Sequence, residues 1–286
     1  MFVVFFFDPT TSKFKRNPNI TLDKIYQSLE GEILNLKFYK HLLMVHGKSS
    51  NFAVRSELGR LNLHFDVIKN MLLYWHRLEN LDGEFPLLSE AFNCSKTLHQ
   101  NGFTSWYSCV NFLLNHIDIK ISDFLGMSTP QFKTNLKRIL LNFYKLTWEK
   151  DRNLHKDGKL STFTSIKNKF CFEPYLDILT NNQHRSVLTK LRISAHRLKI
   201  EIGRYQKIPR EERICSLCHH NEIQDEIHFL LVCPHLNVQR LELINIRKIK
   251  CKNTQSLSYD NQFYWLMTNE DPDILRSLAG FLSNLP

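Results

Sequence analysis

Apolar positions in the first half of the chain return at three- and four-residue steps, the period of a helix that buries one face. Leu22, Ile25, Tyr26, Leu29, Ile33, Leu36 and Leu43 mark such a face over residues 21–46, behind a Thr21 cap and across Gly31. Phe65, Ile68, Leu72, Trp75 and Leu78 repeat the pattern over residues 64–80. Residues 105–117 and 130–148 predict two more helices, the second entered through Ser128-Thr129-Pro130, a capping residue and a proline suited to the first turn. The clearest stripe, Leu188, Leu191, Ala195, Leu198 and Ile202, predicts one continuous helix over 186–203. Asp271-Pro272 caps a last helix carrying Ile274, Leu275, Leu278, Phe281, Leu282 and Leu285. Sustained period-two alternation is absent, so strands should be few. The expected fold class is mainly α, with helical, bundle-like regions.

Punctuation sets the expected organisation. Residues 1–20 are atypical: MFVVFFF gives way at once to Asp8-Pro9, too short to span a bilayer and without the basic flank and cleavage site of a signal peptide. No other run approaches the roughly twenty apolar residues a span needs, so no membrane partner is expected. The polar stretch at 151–162 reads as a linker between a helical region at 21–150 and a second at 163–286. Short helical periodicity resumes after it, with Pro174 at the edge of an element.

Charge adds a candidate partner. Lys and Arg number 38 against 28 Asp and Glu, a net charge of +10 that raises the local concentration of polyanions. Lys190, Arg197 and Arg204 recur every seven residues opposite the apolar stripe, and Arg185, Arg192 and Lys199 flank it. Lys207, Arg210 and Arg213 continue the charge, with Tyr205 able to stack on a base. Such a face suits RNA or DNA phosphates. The plain alternative is a solvated basic face on a structural or protein-interaction domain.

Cysteine usage points to a metal. Cys94, Cys109, Cys171 and Cys251 are scattered singly among apolar residues, as buried reduced thiols are. The other three fall in Cys215-x2-Cys218-x9-His228-x4-Cys233. A two-residue gap lets both thiolates of a tight knuckle reach one ion, and His228 and Cys233 would come from a short helix stopped by Pro234. His235 is a less favourable substitute for His228, as are His219 and His220 directly after Cys218. The acidic loop Glu222–Glu226 is expected to be solvated rather than ligating. Four protein ligands leave no open position, so the expectation is one structural Zn²⁺ in a module at about 186–240. The pattern suits a reducing interior, nucleus or cytoplasm, rather than a disulfide framework.

Catalytic signatures are missing. The chain has no Asp-Asp pair of the kind that holds two Mg²⁺ ions, no phosphate-cradling glycine loop and no Gly-x-Ser-x-Gly elbow. Neither an enzymatic activity nor a small-molecule substrate is expected.

Residues 188–234 carry L-R-x-S-x-H, E-x-G-R-Y, R-x-C-x2-C and H-F-L-x2-C-P. This combination resembles the zinc-binding region that follows the polymerase in LINE-type (non-LTR) retrotransposon reverse transcriptases. The stretch at 38–63, with its E-L-G-R core, and the tail around Gln262–Leu285 resemble the same family, so the likeness covers roughly residues 30–286. It departs from the family in lacking the polymerase with its Asp-Asp motif and any endonuclease. The resemblance implies a truncated copy: a non-catalytic module that helps hold template RNA or target DNA, with a polymerase domain supplied, if at all, by another chain. The Cys and His ligands carry over from it; nucleic-acid contacts do not.

Overall fold

A computed structural model describes residues 30–81, 85–120, 122, 124, 126–250 and 257–283. Expectations for residues 1–29, Cys251 and Leu285 lie outside these. Among the described residues the fold is mainly α, and the only extended pairing is two isolated antiparallel bridges, Leu58 with Phe172 and Ile214 with Ile223. By internal contacts the described residues form two compact units, one drawn from 30–32 and 62–146 and one from 33–61 and 147–283.

The first unit is built from α3 (Leu63–Glu79), α4 (Pro86–Gln100), α5 (Trp106–His116) and most of α6 (Thr129–Leu154). The helices predicted at 64–80 and 105–117 are α3 and α5. Helix α5 begins with a reciprocal capping box between Ser105 and Ser108. Helix α4 has no sequence counterpart above, because only Phe92 of its residues is buried and so no apolar stripe stands out. Phe65 and Trp75 of α3 meet Tyr144 and Phe132 of α6, with Phe65 edge-on to Tyr144 at 4.9 Å, and Leu72 and Leu136 are buried on the same two helices. His76 lies in this core, its ring stacked on Phe132 at 4.1 Å.

The second unit holds α1 (Glu30–Leu42, from Ile33 onward), α2 (Asn51–Leu58), the end of α6, and α7 (Ser161–Ile166) to α13. The remainder are α8 (Tyr175–Ile178), α9 (Asn182–Arg192), α10 (Lys199–Tyr205), α11 (Asn237–Lys250), α12 (Tyr259–Thr268) and α13 (Pro272–Leu282). Helix α13 is the central element. Asp271 caps it by accepting from the Asp273 and Ile274 amides, and it buries Ile274, Leu275, Leu278, Phe281 and Leu282 between α9 and α11. The stretch read as a linker is compact here: Asp151–Leu154 extend α6, and Leu160 is buried, as are Phe163 and Thr164 just after it.

The single helix expected over 186–203 is two. Helix α9 ends at Arg192, Ser194 takes a left-handed turn (φ 53°), and the Ser194 and Ala195 amides bond back to Leu191 and Lys190. Helix α10 then starts afresh at Lys199. The apolar stripe is real, since Leu188, Leu191 and Leu198 are buried, but no glycine or proline announces the break. Lys190, Arg197 and Arg204 therefore do not share one helical face.

The break is anchored by an ion pair. The Arg192 guanidinium, 2% exposed, meets the fully buried Glu57 carboxylate through Nε at 3.0 and 3.2 Å and Nη2 at 3.1 Å. Nη2 also donates to Glu173 at 2.7 Å, and Nη1 donates to the Met267 carbonyl. Tyr175 donates to Glu57 at 2.6 Å, and Lys167, also buried, pairs with Glu173. Burial alone would lower the Arg192 pKa; Glu57 and Glu173 more than reverse this and raise it. Gly59 makes the approach possible. It sits at φ 58°, and a Cβ there would lie 2.4 Å from the Phe172 amide nitrogen.

Two outcomes follow. Arg192→Ala strands Glu57 in the core and is expected to cost about 3–5 kcal/mol in urea unfolding, while Glu57→Gln combined with Arg192→Met loses less than the two single changes summed. A single-variant loss below about 1 kcal/mol would contradict the network's role. For His76, burial lowers the pKa and the Met127 backbone only partly offsets it. The unfolded chain therefore binds a proton at this position that the folded chain resists, so this contribution to stability is lost as pH falls through about 6.5. The urea midpoint of His76→Leu should drop less between about pH 7.5 and 5.5 than that of the parent chain, with an equal drop counting against the assignment.

Candidate metal centre

The segment from Arg213 to Cys233 folds as a knuckle followed by a tight helical turn. Ile214 bridges to Ile223, the Cys215 amide donates to Glu222 O at 2.8 Å and the Gln224 amide to Arg213 O at 3.0 Å, closing a short hairpin. Asn221 supplies its left-handed turn residue (φ 52°), a conformation asparagine tolerates better than most side chains. Cys215 and Cys218 thus sit on one tight loop.

The second pair comes from the expected short helix, which winds as a π-turn over His228–Val232. Its defining bond runs from the Cys233 amide to His228 O at 2.7 Å. The winding matters: at 3.6 residues per turn, side chains five apart would point about 140° away from each other. An i-to-i+5 closure brings His228 and Cys233 to the same side. Asp225 Oδ1 accepts from the His228 amide at 2.9 Å and starts the turn, and Pro234 follows it.

Cys215, Cys218, His228 and Cys233 are all buried, and their ligand atoms lie within 4.8 Å of one another. The Sγ atoms of Cys215 and Cys233 are 4.0 Å apart, and Cys218 Sγ is 3.4 Å from His228 Nε2. These four residues are close enough to bind one metal ion. His219, His220 and His235 are exposed and outside the cluster. Burial, with the neighbouring Cys215 and Cys218, pushes the Cys233 thiol up to about 11; a cation among the sulfurs would reverse that repulsion.

Polar residues around the cluster fix its geometry. Glu222 Oε2 lies 2.8 Å from His228 Nδ1, which is then the protonated nitrogen, leaving the Nε2 lone pair facing Cys218. Gln224 donates to Cys215 Sγ at 3.5 Å, and its Oε1 accepts from the Lys199 amide at 3.0 Å, tying the start of α10 to the knuckle. Arg240 of α11 donates to the Leu230, Phe229 and Cys233 carbonyls at 2.8, 3.2 and 3.0 Å and so braces the π-turn. His196 accepts from the Leu198 amide at Nδ1, so its Nε2 donates to Glu226 at 3.0 Å. Burial alone would raise the Glu226 carboxyl, but this contact holds it below its ordinary value. Sequence reasoning missed Glu222, Gln224, His196 and Arg240. None of the loop acids joins the cluster and Glu222 is exposed, in line with a solvated rather than ligating loop; Glu222 and Asp225 nevertheless orient the histidine, and Glu226 is buried. No spacing rule marks such residues, because each acts through one contact made only after folding.

The basic candidates divide. Arg197, Lys207 and Arg210 are exposed, with Arg210 3.5 Å from Asp225. Tyr205 is 68% exposed, and its hydroxyl lies 2.6 Å from Lys159 Nζ. Lys190 and Arg204 are half-buried, and Arg204 pairs with Glu201 at 3.1 Å. Arg213 is a structural strut: it donates to Ile208 O at 2.8 and 3.0 Å and to Ile200 O at 2.9 Å. Its stem crosses Gly203, where a Cβ would meet it at 2.6 Å.

Removing the histidine's partner tests the arrangement. Glu222→Ala is expected to weaken metal affinity roughly 10- to 100-fold with the fold retained, measured by competition with a chromophoric chelator. An unchanged affinity would mean that the Glu222 contact is incidental.

Compared with protein-family models, with curated proteins and with solved structures, the chain matches none of them.

Proposed function

We propose that the chain is a non-catalytic, zinc-containing nucleic-acid-binding module of the kind found at the C-terminal end of LINE-type reverse transcriptases. The observation that carries this reading is the buried cluster of three cysteines and one histidine, with exposed cations and an exposed tyrosine in the segment that leads into it. A tetrahedron with Zn–S of about 2.3 Å and Zn–N of about 2.0 Å calls for about 3.8 Å between sulfurs and about 3.5 Å between sulfur and nitrogen. The separations of 4.0 and 3.4 Å lie close to both. Three thiolates and an imidazole favour Zn²⁺ over harder ions, and closed coordination favours a structural role.

The contact face is narrower than the sequence pattern implies. Arg197, Lys207 and Arg210, with Lys159 and Tyr205, would meet phosphates and one base. Lys190 and Arg204 contribute less, and Arg213 holds the backbone. A second reading, a protein-docking remnant, is supported by Leu34, Phe38 and Leu42 of α1, each at least half exposed. It predicts concentration-dependent self-association, which the first reading does not.

Native mass spectrometry should find one Zn²⁺ per chain, and stripping it with a chelator should melt the module, because metal-binding energy there is folding energy. A labelled structured RNA should bind the zinc-loaded chain with an affinity that falls steeply with salt, and Cys218→Ser should abolish that binding. Salt-independent binding, or binding unaffected by Cys218→Ser, would overturn the proposal.

A further inference from the structure

Helix α6 turns a second basic surface to solvent, within the first unit. Its inner face is spent on the core, where Phe132, Leu136, Leu140 and Tyr144 are buried. On the outer face Lys133, Lys137, Arg138 and Lys145 are all exposed, around Leu141 at 37% exposure. Lys133, Lys137, Leu141 and Lys145 follow one another every four residues, about 6 Å apart along the axis, and so form one row. None of these four cations has an ion-pair partner among the described residues. Residues 124–148 contain no Asp or Glu. A merely solvated helix face mixes both signs, because like charges four residues apart repel. This row keeps its repulsion, which an external polyanion would relieve.

We propose that the outer face of α6 is a track for the phosphate backbone of a nucleic acid, contacted by Lys133, Lys137, Arg138 and Lys145. It is a different surface from the Tyr205 segment, and it rests on the nucleic-acid reading above. A row of charges at a constant interval suits a partner whose own charges repeat, and lysines meet phosphates as point charges without reading bases. A lipid surface fits less well, because an interfacial helix inserts an apolar face and α6 has buried its own. Four phosphate contacts are too few to hold RNA at physiological salt, so the track adds to the contacts near the knuckle and does not replace them.

The test measures binding of a labelled structured RNA to the full zinc-loaded chain over a salt series. Lys137→Gln combined with Lys145→Gln should lower the slope of log affinity against log salt by about 1.4–1.8, since each lost phosphate contact removes about 0.7–0.9. Lys137→Arg combined with Lys145→Arg keeps the charge and should keep the slope. Both α6 variants should melt as the parent does, because Lys, Gln and Arg are similar helix formers. Lys48→Gln combined with Lys248→Gln removes the same net charge from exposed positions elsewhere and should leave the slope nearly unchanged. A slope unaltered by the α6 glutamines, or lowered as much by the distant pair, would overturn the track and leave the nucleic-acid reading standing. No binding by the parent chain would overturn both. Loss of binding to anionic vesicles in the α6 glutamine variant, with its RNA slope intact, would give the face to a lipid surface and overturn the proposal.

Discussion

An arginine in a protein core cannot relieve its burial by giving up a proton, so the structure around Arg192 must supply anions or fail. Glu57 and Glu173 meet this demand from two separate stretches of sequence, and the Met267 carbonyl from a third. The pairing specifies much of the second unit at once. It fixes where α2 stops and requires Gly59 to let the 171–173 segment approach. It also holds the end of α9 against α12. Replacing this cluster by apolar groups need not weaken the fold; breaking half of it must.

The metal cluster lies downstream of that constraint. The chain leaves Arg192, reverses at Ser194, and places His196 where it can hold Glu226, two residues before His228. Gln224 ties the start of α10 to the knuckle, Arg213 bonds the Ile200 and Ile208 carbonyls, and Arg240 braces the π-turn. The four ligands are thus brought to their places by polar contacts from α10, α11 and the 194–198 turn. An ion bound there would add its binding energy to the folding energy of this polar scaffold.

The mainly α class was legible because helix period is written into buried side chains directly; α3, α5 and α13 follow from it with bounds close to those expected. The four ligands were legible for a similar reason, since chelation imposes local spacing. What was not legible is whatever depends on partners distant in sequence. The break at Ser194 has no local signal, because burial of Arg192 decides it. Helix α4 was missed since it buries little, and Glu222 since one hydrogen bond leaves no periodicity. Arg213 looked like a member of a basic face because charge alone cannot distinguish a phosphate contact from a strut between carbonyls.

That distinction has a consequence for any basic chain of this kind. Of the seven residues proposed from sequence as nucleic-acid contacts, Arg213 spends its donors on backbone carbonyls and Arg204 faces Glu201, while Arg197, Lys207 and Arg210 are exposed. Counting cations along a helix overstates a binding face, because a planar guanidinium is also the side chain best suited to bridging several carbonyls. The donors left over after the fold has used its own are the ones able to recognise an anion.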